Sequence, residues 1–378
     1  MASFQTGPDP EGLREYSVVF TDRALNHMSA AFQQVMRDLS QMLRETYTAE
    51  AAVLVPGGGT AAMESVARQL APGQRCLVVR NGWFSYRWSQ ILEMGGLGAA
   101  TTVRKAAPLE PSPQAAWAPP PVREVAEAIA ESGIELVFAP HVETSAGMLL
   151  PDPYLRELAE AVHANDGLMV LDCVASGALW VDMAALGVDV LISAPQKSWS
   201  ATPSTGLVML SPAALARVEA TQSSSFALDL KQWLGIMRAY EGGGHAYHAT
   251  LPTDGLRHFR DAMLETRAFG LEQARERQLA LGRRVRGSLA ARGFASVAAE
   301  GFAAPGVVVC HTRIDAIHSG AAFAERGIQI AKGVPLMCGE DESFKTFRIG
   351  LFGLDKLGDV DGTVAHLEAA LDTIAASG

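Results

Sequence analysis

The sequence predicts an α/β fold in which helices cover a mostly parallel sheet, followed by a smaller C-terminal α+β domain. Short apolar strands alternate with helical stretches, and these strands are apolar at nearly every position, as is typical of strands buried on both faces. The chain has 378 residues, more than the roughly 250 to 300 at which a single core stops growing. We therefore predict an N-terminal arm over 1–20, a large domain over 21–255 and a small domain over 256–378.

The first element after the arm is an amphipathic helix. Apolar residues recur at helical spacing from Met28 to Leu43, and either Asn26 or Ser29 is placed to cap the helix. The stretch between Ala99 and Pro121 is rich in Pro and Ala, which favours an ordered surface loop. The strands predicted in the large domain are Ala51–Pro56, Arg75–Arg80, Ile134–Ala139, Leu168–Val174, Val190–Pro195 and Gly206–Leu210.

The C-terminal part begins with a long helical pattern from about Asp254 to Arg292, in which Arg and Glu alternate with apolar residues. Strands are predicted next, and a closing helix over Val360–Ala376 completes the domain. The three predicted strands are Phe294–Ala298, Gly306–Thr312 and Phe344–Gly350.

Composition excludes several classes of protein. The net charge is −10, from 31 basic and 41 acidic residues, and no basic stripe is present, which argues against a nucleic-acid partner. The four cysteines are scattered without a CxxC spacing, so we expect free thiols and no metal site. Residues 1–11 lack the features of a signal peptide, and no apolar run reaches about 18 residues. We therefore expect a cytoplasmic protein that does not enter the membrane.

A glycine turn between a strand and a helix is the first candidate binding site. The apolar strand ends at Pro56, and Gly58, Gly59 and Thr60 precede a helical run. Backbone N–H groups at such a turn, with the Thr60 hydroxyl, suit a phosphate group. The turn lacks the GK[ST] of a P-loop and the GxGxxG of a dinucleotide site. A tight turn without a ligand remains the alternative.

Two further candidates stand where neighbouring strands end. Asp172 follows one apolar strand and Lys197 follows the next, and the carboxyl ends of parallel strands meet at one edge of a sheet. A lysine that forms a Schiff base and an aspartate that holds a ring nitrogen protonated are the residues that pyridoxal phosphate requires. Alternatively, Lys197 extends into solvent and Asp172 caps a loop, but the nearby glycine turn favours the cofactor.

These motifs resemble those of the class V (fold type I) aminotransferases, in particular the alanine–glyoxylate and serine–pyruvate aminotransferases, from about Phe20 to the C-terminus. The resemblance implies a fold type I chain in which Lys197 forms the Schiff base and Asp172 holds the pyridine nitrogen. It also implies that Phe84, in Asn81-Gly82-Trp83-Phe84, stacks on the cofactor ring, with Thr144 beside it. The residues that match the family's phosphate ligands are Gly58, Gly59, Thr60 and Gln196.

The resemblance also implies a homodimer and a substrate-binding arginine. Tyr247 and Thr250 match the pair that reaches the phosphate from the neighbouring subunit, and Arg348 matches the arginine that binds the substrate carboxylate. Each residue also has a structural alternative when taken alone. Phe84 can belong to the core, Thr144 and Ser145 can cap a helix, Tyr247 can close an apolar edge, and Arg348 can pair with a structural carboxylate.

The resemblance implies an aminotransferase that moves an amino group from an amino acid or related amine to a small 2-oxo acid such as glyoxylate or pyruvate, in two steps through pyridoxamine phosphate. The alternatives are a lyase of the same fold and a protein that has lost turnover. A cysteine desulfurase is disfavoured, because the acidic residues beside Cys338 tend to raise the pKa of its thiol.

Two departures from the family bear on the substrate. Its glycine-proline-rich N-terminal loop is reduced to Thr6-Gly7-Pro8, and His27-Met28-Ser29 stands where the family has His-Arg-Ser. In addition, several aromatic residues near the motifs either shape a pocket for a bulkier, less polar amine or pack in the core. They are Trp83, Tyr86, Trp88 and Trp199.

Overall fold

The computed structural model describes Asp9 and residues 12–375. Thr6-Gly7-Pro8 and the last residue of the predicted closing helix, Ala376, lie outside the described residues. The helices are α1 (Ala30–Tyr47), α2 (Gly59–Leu70), α3 (Trp83–Met94), α4 (Val122–Ser132), α5 (Asp152–His163), α6 (Met183–Leu186), α7 (Pro195–Ser198), α8 (Pro212–Ala220), α9 (Leu230–Glu241), α10 (Thr253–Phe269), α11 (Leu271–Ala291), α12 (Asp315–His318), α13 (Ala321–Ala324), α14 (Leu354–Gly358) and α15 (Val360–Ala375).

The strands fall into one large sheet and three small ones. They are β1 (Ala51–Pro56), β2 (Arg75–Arg80), β3 (Ala100–Lys105), β4 (Ala107–Pro108), β5 (Trp117–Ala118), β6 (Leu136–Pro140), β7 (Val142–Glu143), β8 (Met148–Leu149), β9 (Leu168–Asp172), β10 (Val190–Ser193), β11 (Thr205–Leu210), β12 (Val307–His311), β13 (Ala331–Lys332) and β14 (Thr346–Gly350).

The large sheet has seven strands in the order β1-β11-β10-β9-β6-β2-β3. Strands β10, β9, β6, β2 and β3 pair in parallel, whereas β11 runs antiparallel to both of its neighbours, β1 and β10. The mostly parallel sheet predicted from the sequence is therefore confirmed. One consequence is that the carboxyl ends of β1, β2, β6, β9 and β10 lie at the same edge of the sheet, where ligands of α/β proteins bind.

The stretch predicted as a surface loop between Ala99 and Pro121 contains an edge strand, so that prediction was wrong in part. β3 pairs in parallel with β2, and β4 and β5 form a two-stranded ribbon. All six residues of β3 are exposed or half-buried, because an edge strand is covered less than a central one. It therefore lacks the continuous apolar run that marks the central strands.

The predicted first helix is confirmed, and its cap is Ser29. The Ser29 hydroxyl accepts a hydrogen bond from the backbone N–H of Phe32 at 3.1 Å. The other candidate, Asn26, accepts instead from the N–H of Met28 in the preceding turn. The apolar face of α1 is buried against the large sheet and the helices α9 and α10.

The C-terminal part departs from its prediction in two places. The long helix is divided at Gly270, whose φ of +101° is unfavourable for other residues. Residues 294–298 form only isolated bridges and no strand. Their backbone groups form hydrogen bonds with Trp117 on one side and with β12 on the other. The sheet here has the order β12-β14-β13, and it packs with α11 and α15 around its own apolar cluster. Within residues 12–375, no helix is long and apolar enough to cross a bilayer.

Candidate active site

Asp172 and Lys197 are brought to the same edge of the large sheet. Asp172 is the last residue of β9 and pairs in register with Ile192 of the neighbouring parallel strand β10. After β10 the chain enters the short helix α7, whose third residue is Lys197. Both strands are completely buried, which holds the two residues at fixed positions where the apolar run ends.

The carboxylate of Asp172 is buried, with a side-chain oxygen free for a ligand. Its Oδ1 accepts a hydrogen bond from the backbone N–H of Val174 at 2.9 Å, and no other described group donates to its side chain. Burial raises the pKa of Asp172 to about 6, against the opposing effects of the Val174 N–H and the Lys197 charge. An unpaired carboxylate oxygen in such a position favours a cationic hydrogen-bond donor.

The amine of Lys197 lies between two aromatic rings. Its Nζ is 5.8 Å from the ring centroid of Phe84 and 5.7 Å from that of Phe352. Burial lowers the pKa of Lys197, Asp172 raises it, and Arg348 lowers it further. A lowered pKa increases the fraction of the amine that is neutral, which is the form that acts as a nucleophile or base. The preceding residue, Gln196, is exposed in the first turn of α7.

The ring of Phe84 is half-buried and is approached by two arginines as well as Lys197. The guanidinium of Arg87 lies 4.7 Å from the ring centroid and that of Arg348 lies 5.5 Å from it. The Nε of Arg348 donates to the carbonyl of Lys332 at 2.9 Å. Among the described carboxylates none forms an ion pair with Arg348, so the structure does not support the alternative of a structural partner.

The start of α2 presents unsatisfied donors beside a cation. The N-cap, Gly58, provides no side-chain cap, and Thr60 is exposed with its hydroxyl 3.2 Å from Nη1 of Arg87. A Cβ added at Gly59 would lie 2.7 Å from Cγ2 of Val174, whereas one added at Gly58 would meet nothing within 4 Å. Gly59 therefore permits close packing of the helix start, and open space adjoins Gly58. This arrangement suits an anion such as a phosphate.

The start of α3 is arranged in the opposite way, because it is capped by a buried carboxylate. Glu143 accepts hydrogen bonds from the N–H groups of Phe84, Ser85 and Ser145 and from both serine hydroxyls. Glu143 is not among the site residues predicted from the sequence. Its signal was an acidic residue within a stretch that is otherwise apolar or small, since buried acidic residues require specific partners. Arg87 was missed as well, and no pattern of residues marks it.

Thr144 and Ser145 follow Glu143 and have different surroundings. Thr144 is buried next to this cap. The Ser145 hydroxyl accepts from the N–H of Trp83 at 2.9 Å, so Ser145 does cap a helix, as one alternative predicted.

Tyr247 and Thr250 form a separate cluster within one chain. The Tyr247 hydroxyl lies 3.0 Å from the Thr250 hydroxyl, and the Tyr247 ring packs 5.4 Å from the ring of His27. Tyr247 is 53% exposed. Among the described residues, the contacts of Tyr247 and Thr250 are with each other and with His27, and not with Lys197 or Asp172. A single subunit therefore does not bring this pair to the strand ends.

The aromatic residues near the motifs divide into core and surface. Trp88 and Trp199 are completely buried, and they stack on Phe138 and pack against Trp180 respectively. Both therefore belong to the core. Trp83 and Tyr86 are half-buried at the start of α3, with ring centroids 6.2 Å apart.

Comparisons with known proteins agree with this geometry. The family Aminotransferase class-V matches residues 13–360. The alanine–glyoxylate aminotransferase of Oryctolagus cuniculus is 30% identical in a match that covers 67% of this chain and 62% of that protein. A 2-aminoethylphosphonate–pyruvate transaminase of Paraburkholderia xenovorans (strain LB400) is 29% identical over 97% of this chain and 95% of its own length.

The fold is also similar to that of a solved aminotransferase structure. The crystal structure of an alanine–glyoxylate aminotransferase from Nostoc sp. superposes with a TM-score of 0.77 at 22% identity, covering 93% of this chain and 89% of that one. The family match and the similar sequences confirm the predicted family, cofactor and class of reaction, and the solved structure confirms the fold type. The chain belongs to the aminotransferase class-V family of pyridoxal-phosphate-dependent enzymes.

Proposed function

We propose that this chain transfers the amino group of an amino acid or related amine to a small 2-oxo acid such as glyoxylate or pyruvate. The observation that carries the proposal is the position of Lys197 and Arg348, which approach the same ring, Phe84, within 6 Å of its centroid. A lysine for the cofactor and an arginine for a carboxylate are thereby placed next to each other. The relatives that use glyoxylate or pyruvate as acceptors support the choice of acceptor.

The residues at the strand ends fit pyridoxal phosphate. The uncapped start of α2 provides donors for its phosphate, and the free oxygen of Asp172 provides an acceptor for a protonated ring nitrogen. We assign the phosphate to Gly58, Gly59, Thr60 and Gln196, and the ring to Phe84, Thr144 and Asp172. When bound, the cofactor supplies an aldehyde that condenses with amines and a ring that withdraws electrons from the substrate.

The protein groups then have defined tasks. Lys197 binds the cofactor and, once released, moves a proton with an amine whose pKa is lowered by burial. Arg348 binds the substrate carboxylate. Its Nε is occupied by the Lys332 carbonyl, which orients the guanidinium and leaves the two terminal nitrogens for a bidentate contact.

Cys338 does not have the properties of a catalytic nucleophile. Its thiol is largely buried and lies 3.3 Å from the carbonyl of Arg80. Burial and the charge of Glu340 raise its pKa to about 12. Since the thiolate is the reactive form, these surroundings argue against a desulfurase. A lyase of the same fold is the alternative that the experiment below separates from transfer.

We further propose that the protein is a homodimer in which Tyr247 and Thr250 reach the phosphate of the neighbouring subunit. The exposure of both residues supports this proposal, as does the exposure of apolar residues in the N-terminal segment, Leu13, Tyr16 and Val18. The free thiols of all four cysteines suit the reducing cytoplasm.

The division into an arm over 1–20, a large domain over 21–255 and a small domain over 256–378 also stands as a proposal. It is supported by the presence of separate apolar clusters around the seven-stranded sheet and around α11 and α15.

The test begins with cofactor uptake. Purified protein is mixed with pyridoxal phosphate, reduced with borohydride and digested, and we expect the modified peptide to carry the label on Lys197. Lys197→Ala should remove the label, whereas Lys231→Ala on α9 should retain it. Failure of the wild-type protein to take up the cofactor would contradict the proposal.

The second stage tests the reaction itself with single-turnover screening of amines, followed by addition of oxo acids. Conversion of the bound cofactor to its amine form, reversed by glyoxylate or pyruvate, supports transfer. Turnover of a donor without any such conversion indicates a lyase. Unchanged absorbance with every donor indicates a protein without turnover.

A further inference from the structure

Glu143 is a completely buried carboxylate to which the proposed function gives no task. It accepts hydrogen bonds directly from the N–H groups of Phe84 and Ser85. It also accepts from two serine hydroxyls, which in turn accept from the other N–H groups of the turn. Ser85 Oγ accepts from the N–H groups of Asn81 and Gly82, and Ser145 Oγ accepts from that of Trp83. All five N–H groups from 81 to 85 are therefore satisfied by Glu143 or by a hydroxyl bonded to it.

We propose that Glu143 is a positioning residue for the transfer reaction, which fixes the turn that carries Phe84 against the cofactor ring and provides negative charge for Lys197 and Arg348. This inference rests on the proposed function, and it gives Glu143 a role through its neighbours that requires no contact with substrate or cofactor. It acts through Phe84 on one side and through the two cations on the other.

The packing at Gly82 shows why the turn cannot shift freely. A Cβ added at Gly82 would overlap Ser145 Oγ and would lie 2.8 Å from the carboxylate carbon of Glu143. No side chain fits between the start of α3 and this carboxylate, so the turn is in direct contact with it. Because Phe84 is two residues further along the same turn, the position of its ring is fixed by the contact between Gly82 and Glu143.

The charge of Glu143 acts on the groups around that ring. Three cations surround Phe84, namely Arg87, Lys197 and Arg348, and the nearby carboxylates that act on them include Asp172 and Glu143. Burial lowers the pKa of Arg348, and Glu143 opposes this effect. Glu143 also opposes the effect of burial on Lys197, after the larger contribution of Asp172.

The test compares two substitutions at this position. Glu143→Gln removes the charge, and in either orientation its amide nitrogen faces at least one backbone N–H, because both carboxylate oxygens accept from the backbone. We expect the dissociation constant for pyridoxal phosphate to rise about 10-fold, since one hydrogen bond to a charged group is lost. The pH midpoint of the bound cofactor's absorbance change should fall by about half a unit or more, because removal of a negative charge disfavours protonated groups.

Glu143→Asp separates the effect of the charge from the effect of the side-chain length. It keeps the carboxylate and shortens it by one methylene, so we expect the pH midpoint to stay near that of the wild type while cofactor affinity falls. The matched control is Glu340→Gln. Glu340 also clamps a backbone turn, accepting from the N–H groups of residues 336 to 339, but it has no contact with Phe84 among the described residues.

The outcomes are distinct. The inference is supported if the pH midpoint shifts in Glu143→Gln but not in Glu340→Gln. It is overturned if both variants show an equal shift. It is also overturned if Glu143→Gln keeps the midpoint and the cofactor affinity of the wild type. If Glu143→Gln does not fold, Ser145→Ala provides the second test, because it frees the N–H of Trp83 while the charge remains. Weaker cofactor binding with an unchanged midpoint then supports the inference, and unchanged binding overturns it. Wild-type protein that takes up no cofactor would instead refute the proposed function.

Discussion

Replacement of Asp172 by Asn should stabilise the cofactor-free protein near neutral pH while impairing the enzyme. The carboxyl has a pKa raised from 3.8 to about 6 by burial. A shift of about two units corresponds to about 3 kcal/mol. Because the folded state binds the proton more tightly than the unfolded state, the folded protein loses this amount as the pH rises from about 3 to about 7.

The prediction is therefore a difference that depends on pH. Asn has nearly the same shape and can accept the Val174 N–H through its oxygen, so it lacks only the charge. The free energy of unfolding of the wild-type protein, relative to that of Asp172→Asn, should fall by about 2.5 kcal/mol between pH 4 and pH 7, which is most of the full amount. Any change in the free energy of unfolding that the new amide nitrogen causes is the same at all pH values, so it cancels in this comparison.

The assay is denaturant unfolding of both proteins without cofactor at intervals of half a pH unit, with the slope of the transition monitored to ensure that both unfold alike. In the loaded enzyme the same substitution removes the acceptor for the ring nitrogen, and we expect the transfer rate to fall by about 100-fold or more. A stability difference that is constant from pH 4 to pH 7 would refute the assignment of an elevated pKa to this buried carboxylate.

Three further predictions concern the glycine turn at the start of α2, the substrate arginine and the cysteine. Gly58→Ala should leave the stability of the cofactor-free protein unchanged but weaken cofactor binding, because its Cβ occupies open space beside the start of α2. Gly59→Ala should lower both the stability and the cofactor affinity, because its Cβ meets Val174. Equal melting temperatures for the two variants would contradict this prediction. Arg348→Lys should raise the KM for the 2-oxo acid by about 10-fold, since a lysine cannot form the bidentate contact, and steady-state kinetics with an unchanged KM would remove Arg348 from the substrate site. Cys338→Ser should retain transfer activity within about two-fold, because a buried thiol with a raised pKa is not the reactive form, and loss of turnover with intact cofactor binding would reopen the thiol chemistry.

The central strands of the sheet were predictable because burial on both faces demands apolar residues at every position. β9 and β10 meet this condition, and the charged residues that follow them, Asp172 and Lys197, are conspicuous for that reason. β3 does not meet it, since an edge strand has partly exposed residues. The break at Gly270 was also missed, because a single glycine within a helical pattern does not by itself end a helix.

The network of Glu143 could not be predicted in the same way, because it depends on the backbone N–H groups of Phe84 and Ser85, about 60 residues earlier in the chain. Backbone groups are present at every position and leave no mark in the sequence. Arg87 presents a similar difficulty. Its approach to Thr60 depends on how α2 and α3 pack together, which is a property of the folded chain and not of either segment alone.

The starts of α2 and α3 differ in a way that bears on what the site binds. Both helices begin after a glycine near the same edge of the sheet, and both leave N–H groups that need acceptors. At α3 the protein supplies its own buried carboxylate, Glu143, so that start is closed to external anions. At α2 no side chain caps the N-terminus, and Arg87 adds a cation beside it. Of these two helix starts, only that of α2 is therefore open to an anionic group, and it is also the one beside a cation. If Thr60 and Arg87 served only to hold α2 and α3 together, pyridoxal without its phosphate would bind as tightly as the phosphorylated cofactor, and that comparison decides between the two roles.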